Sequence, residues 1–115
     1  MRAFWENEMQ QQTREHLQQL QIVMQRLQLW QTNPPAPAAF ISEQPFALDT
    51  MEPTEWLQWI FIPRMHALLD SGAALPSQIA VSPYLEEAMA EFEALSELLE
   101  PLRQLEELLQ NQQDA

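Results

Sequence analysis

Apolar residues recur at helical spacing in three stretches of this chain, and prolines separate those stretches. From about Glu6 to Gln31, positions Met9, Thr13, His16, Leu20, Val23, Leu27 and Trp30 follow steps of four and three. Gln10, Gln11, Gln18, Gln21 and Gln25 fill the opposite face. This pattern predicts an amphipathic first helix with a solvated glutamine face. A coiled-coil seam would show similar steps, but here they last only about three heptads and lack e/g charges of both signs. Packing inside the domain is the expectation.

Asn33-Pro34-Pro35-Ala36-Pro37 ends that helix, because proline lacks the amide donor and steers its predecessor away from the helical region. A crossover over 32–48 should follow, extended and polyproline-like. The PxxP spacing from Pro34 to Pro37 has no basic neighbour and reads as a stiff connection rather than an SH3-type ligand. Phe40, Ile41, Phe46 and Leu48 are expected to tuck back onto the bundle and hold this long connection down.

The stretch Gln44 to Asp70, QPFALDTMEPTEWLQWIFIPRMHALLD, is where the apolar pattern is densest. Trp56, Leu57, Trp59, Ile60, Phe61, Ile62, Met65, Leu68 and Leu69 fall on nearly every side of a helix, leaving a thin polar strip near Gln58 and Arg64. Such a helix is normally buried against several neighbours. Burying one indole removes roughly 200 Å² from water, on the order of 5 kcal/mol as an upper bound. The central helix is predicted over 49–70, with Asp49-x-x-Glu52 as a capping box and Pro53 in its first turn. Pro63 should kink it, at a cost of about 3 kcal/mol.

Gly72 is the expected left-handed residue closing the central helix. A loop over 71–82 follows, anchored by Leu75, Ile79 and Val81, and Ser82-Pro83 has the form of an N-cap and first helical position. Apolar residues then recur at 85, 89, 92, 95, 99, 102, 105 and 109, interrupted by Pro101. Positions 83–110 therefore hold either one bent helix or a short helix and a longer one, with a frayed tail over 111–115. The expected fold is all-α: one domain over 1–115, an approximately four-helix, mostly antiparallel bundle with a proline-rich crossover between its first two helices.

Composition narrows the function. With 115 residues and 46% hydrophobic content, the chain suits one core. No run approaches the roughly 18 to 20 apolar residues that cross a bilayer. MRAFWENEMQQQTREH lacks the continuous apolar segment of a secretory signal, and the absence of cysteine removes disulfides and thiolate chemistry. A cytoplasmic location is the expectation. All five basic residues are arginine, so no lysine is present for a Schiff base or a phosphate loop, and Gly72 is the single glycine, which excludes GxGxxG and GxxxxGK[ST]. A net charge of −12 disfavours direct nucleic acid binding and suits a basic protein partner.

Candidate chemistry is sparse. Most of the charge lies on the last helical stretch, where Glu86, Glu87, Glu91, Glu93, Glu97, Glu100, Glu106 and Glu107 would form an acidic face against the lone Arg103. It is a solvated face or a docking face for a basic surface. His16 and His66 lack the Glu-x-x-His or HExxH context of a metal site, so neither metal nor cofactor is expected. Asp49, Glu52 and Glu55 bring three carboxylates together, which a helix N-terminus attracts on electrostatic grounds alone. No serine sits in a GxSxG context. Arg64 either pairs with Asp49 or Glu55 or stands exposed beside tryptophan, a composition favoured at binding hot spots.

The motif QPF-x-LDTMEP-x-EWLQWIFIPRMHALLD, followed by a loop and the Ser82-Pro83-Tyr84 helix start, resembles the YqcC family of small bacterial proteins. The match is specific over Gln44 to Asp70 and looser elsewhere. It departs at Ala88 to Glu97, where the family implies a loop but this sequence has no helix breaker. The resemblance implies an all-helical bundle of unassigned function. Family members are often encoded beside an RluA-like tRNA pseudouridine synthase, which implies an accessory role. The leading expectation is a non-enzymatic protein-interaction module acting with such a synthase. The alternative is an anion-binding bundle or cryptic enzyme that uses Trp56, Trp59 and Arg64, with His66 nearby. A third is a homodimer formed through an apolar patch at the Pro63 bend.

Overall fold

The computed structural model describes residues 7–111. Four helices make up the fold, and no strand occurs among the described residues. They are α1 (Glu8–Arg26), α2 (53–71), α3 (Val81–Ala88) and α4 (Leu95–Asn111). The all-α bundle is as expected, while several element ends differ from the periodic reading.

Asn7 caps α1: Gln10 N–H donates to its side chain at 2.8 Å, and the Gln10 side chain accepts from the Asn7 amide at 3.0 Å. The helix ends at Arg26, short of the expected Gln31. Gln28 adopts φ 63°, its amide donates to Gln25, and the Leu29 amide reaches back to Met24 at 2.8 Å. That pair of bonds is a Schellman ending, built here on glutamine instead of glycine. The reversal releases Trp30 and Gln31 to meet α2. The expected start near Glu6 lies outside the described residues, and of the tail expected over 111–115 only Asn111 is described, as the last residue of α4.

The crossover is not extended throughout. It contains 3₁₀ turns at Pro37–Ile41 and Pro45–Ala47. Phe46 packs inward, but Phe40, Ile41 and Leu48 are exposed, contrary to the expectation that all four tuck back. Asp49 accepts a hydrogen bond from Ser42 within this loop and does not cap α2. The cap lies one turn later, where Glu55 accepts from the Glu52 amide at 2.8 Å and Pro53 takes the first helical position.

Within α2 the turn Leu57–Phe61 is π-helical, and Ile62 N–H bonds to Leu57 five residues back. Pro63 follows at once. The widened turn absorbs the missing proline donor, so the residue expected to kink the helix follows a π-bulge in a continuous one. Nor is α2 enclosed on all sides. Trp56, Leu57, Gln58, Phe61, Ile62, Met65 and Leu69 are buried, while Pro63, Arg64 and Ala67 face solvent. Gln58 and Arg64 thus form no common polar strip. Gly72, at φ 74°, ends the helix as expected; a Cβ there would meet nothing, so the requirement is conformational.

The core is mostly leucine. Leu17, Leu20, Leu57, Leu85, Leu98, Leu102, Leu105 and Leu109 are fully buried, along with Met24. The helices are antiparallel neighbours. Arg26 meets Glu97 at one end of α1 and α4, and Met9 and Leu108 share a hollow at the other. Arg14 contacts Asp70 while Gln31 contacts Gln58, which sets α2 against α1. Met89–Ala94, held by successive short-range turns, separates α3 from α4, so positions 85–109 hold two helices and Pro101 lies buried inside the second.

Candidate interaction surfaces

Gln31 fastens the segment that follows α1 to α2. Its amide donates to Gln58 Oε1 at 2.7 Å, and Gln58 Nε2 donates to its carbonyl at 2.7 Å. Its side chain donates to Glu55 Oε2 at 3.1 Å and accepts from Trp59 Nε1 at 3.0 Å. Glu55, Gln58 and Trp59 sit at helical steps of three and four on one face of α2, which is why one residue can meet all three. Glu55 therefore divides its carboxylate between a helix cap and Gln31, and it does not pair with Arg64.

A groove of about 590 Å³ opens beside this clasp, lined by Trp30, Trp59, Ile62, Pro63, His66 and neighbouring glutamines, with no carboxylate in its wall. Arg14 bonds His66 Nδ1 at 3.2 Å. A guanidinium only donates, so Nδ1 is the accepting nitrogen. Trp56 lies elsewhere, in an aromatic group. Phe46 stacks on Tyr84 with centroids 4.1 Å apart, meets Trp56 edge-on at 4.9 Å, and Trp56 stacks on Phe61 at 5.4 Å. Burial, and secondarily the Glu52 carboxylate, raise the Tyr84 phenol above its ordinary value.

Arg64 is exposed, and among the described residues it forms no ion pair. It is absent from the groove wall. The trio Trp56, Trp59 and Arg64 is therefore split between an aromatic core, a groove and open solvent, and does not form an anion pocket. Nor do Asp49, Glu52 and Glu55 converge on one site: Asp49 turns to Ser42, while Glu55 accepts from the Glu52 amide at the start of α2.

The acidic residues also divide. Glu86 on α3 pairs with Arg103 at 2.5 Å, Glu97 with Arg26 at 2.7 Å, and Glu93 lies in the connecting loop. Glu97, Glu100 and Glu107 share the exposed side of α4, where Glu100 also accepts from Gln104. His16, Arg26, Glu97 and Glu100 line a polar groove of about 780 Å³ between α1 and α4. Among the described residues no three His, Cys, Asp or Glu side chains cluster as a metal site.

Glu106, expected on the acidic face, is instead a half-buried structural acid. It accepts from the Val81 and Ser82 amides at 3.0 and 2.8 Å and from the Ser82 hydroxyl. The α3 cap thus comes from α4, while Ser82, the expected N-cap, is buried within the helix. An acid bordering the apolar stripe of Leu102, Leu105 and Leu109 was the available signal. For Gln58, the signal was an amide inside an apolar run, which burial obliges to find partners.

No helix among the described residues is long and apolar enough to cross a membrane. The fold is close to the solution NMR structure of YqcC from Escherichia coli, with a TM-score of 0.80 and 41% identity over 90% of this chain and 89% of that one. An uncharacterised protein of Haemophilus influenzae is 65% identical over 103 residues, covering 90% of this chain and 97% of the relative. Uncharacterised protein YqcC of Escherichia coli K12 is 53% identical over 74 residues, 64% of this chain and 68% of that protein. A tRNA pseudouridine synthase C of Pectobacterium carotovorum is 54% identical over 65 residues, 56% of this chain but only 17% of the synthase. Residues 12–108 match the DUF446 family model, described as tRNA pseudouridine synthase C. The chain belongs to the DUF446 family, alongside its YqcC relatives.

Proposed function

We propose that this chain is a non-enzymatic accessory module that binds a tRNA pseudouridine synthase. The observation that carries this reading is the match to 17% of a synthase's length, which leaves most of that protein without a counterpart here. A module found within a synthase chain in one organism and separately in another is suited to act beside that enzyme. The family description points the same way. The charge of −12 favours contact with the enzyme over contact with tRNA phosphates. The scatter of Trp56, Trp59 and Arg64 supports binding through the surface rather than through a ligand pocket.

Isothermal titration of the full chain against the purified synthase C of the same organism, and separately against tRNA, tests the proposal. Saturable binding to the synthase without binding to tRNA is expected. Binding to tRNA alone, or to neither, overturns it.

A further inference from the structure

We propose that the crossover knuckle around Phe40, Ile41 and Leu48 is the surface that docks the synthase, through an apolar centre framed by Glu43 and Asp49. This rests on the accessory reading and adds the place of contact. Phe40, Ile41 and Leu48 are 42%, 77% and 55% exposed, and among the described residues they are three of the four large apolar side chains left open to solvent; the fourth, Ile22 at 52%, lies on α1. Scattered apolar residues need no explanation, but three within nine positions do.

Their exposure is held in place. Thr50 Oγ1 donates to the Ala39 carbonyl at 2.7 Å, Ser42 donates to Asp49, and the Gln44 amide donates to Ser42 at 3.0 Å, tying the two arms of the loop together. Between them lies a hollow of about 550 Å³ with Ile41, Glu43 and Asp49 in its wall. The backbone is strained at Phe46 and Ala47, whose φ values of 59° and 49° are left-handed in residues with side chains. That reversal sends Phe46 inward onto Tyr84 and leaves Leu48 outward.

Charge selects the occupant. From Leu27 to Pro63 the chain has Glu43, Asp49, Glu52 and Glu55 but no Arg, Lys or His. An apolar centre with an acidic rim fits an apolar patch ringed by cations. An enzyme that holds tRNA carries such cations to neutralise phosphate.

The test compares the full chain, the triple variant Phe40→Ser/Ile41→Ser/Leu48→Ser, Glu43→Lys, and the control Ile22→Ser in titrations against the purified synthase. The triple variant should bind at least tenfold more weakly, on the scale of hot-spot truncations. Glu43→Lys should weaken binding and flatten its salt dependence, while Ile22→Ser should match the parent. Unchanged affinity in both the triple and Glu43→Lys variants overturns the docking site and leaves the accessory reading standing. No binding by the parent overturns both. Parent self-association in sedimentation that the triple variant abolishes assigns the patch to a second copy and overturns the proposal.

Discussion

The carboxamide of Gln58 replaces a backbone partner for Gln31: it accepts from the Gln31 amide and donates to the Gln31 carbonyl, both at 2.7 Å. A side chain on α2 thereby completes the hydrogen bonding of a chain segment that has just left α1. Gln58→Leu keeps the volume and removes both bonds, stranding two part-buried backbone groups. It should destabilise the fold by about 2–6 kcal/mol in urea denaturation, at roughly 1–3 kcal/mol for each stranded group. Gln31→Ala, which loses only the bonds to Glu55 and Trp59, should cost less and should shift Trp59 fluorescence.

Gln28 occupies a position that favours glycine. Its φ of 63° is required by the Schellman ending of α1, and its side chain is exposed. Gln28→Gly should stabilise the protein by about 0.5–1 kcal/mol, the part of the left-handed penalty that a side chain incurs. Thermal unfolding measures the gain, and a loss of stability would contradict the account of this turn.

Much of the helical content was legible because helical periodicity is a local property of the chain. Leu20, Val23, Leu99, Leu102 and Leu105 lie where their spacing put them, and Gly72 closes α2 as its type demands. Long-range contacts decided the rest. The α3 cap comes from Glu106, 24 residues away from Ser82. Met89–Ala94 leaves the helix without a breaker, because packing of α3 against α4 outweighs the helix propensity of its alanines and glutamates. The candidate site was less legible still, since whether Phe40 or Phe46 turns inward depends on two left-handed residues that no local composition announces.

Glu106 substitutes for an N-cap residue from another helix. Glu106→Ala leaves the Val81 and Ser82 amides and the Ser82 hydroxyl without their acceptor, and the expected loss is about 2 kcal/mol. Amide exchange should accelerate first at Val81 and Ser82. If those amides stay protected, the cap assignment is wrong.

Pro63 should behave unlike a proline in a regular helix. There, replacement by alanine would restore a bond and remove a clash, a gain of about 3 kcal/mol. Here the π-helical turn over Leu57–Phe61 already accommodates the absent donor. Pro63→Ala should therefore change stability by less than about 1 kcal/mol, since the gain in bonding is offset by a freer unfolded chain. A gain near the larger figure would mean the π turn exists only because of the proline.

Tyr84 makes the alkaline stability of this protein simple to interpret. The sequence has one tyrosine, no cysteine and no lysine, so between about pH 9 and 12 no other side chain titrates appreciably. Burial and the Glu52 carboxylate raise the Tyr84 phenol above 10.0 in the folded state, so the native protein holds that proton more tightly than the unfolded chain. The stability this contributes is fully present below the unfolded value of about 10 and is lost as pH rises through the folded one. The urea midpoint should be flat up to about pH 9.5 and fall above it. Tyr84→Phe, which retains the stack on Phe46, should remove most of that fall. Phenolate absorbance should rise later in the native protein than in urea, and later than in Glu52→Gln. A native titration that coincides with the unfolded one would sink both assigned causes.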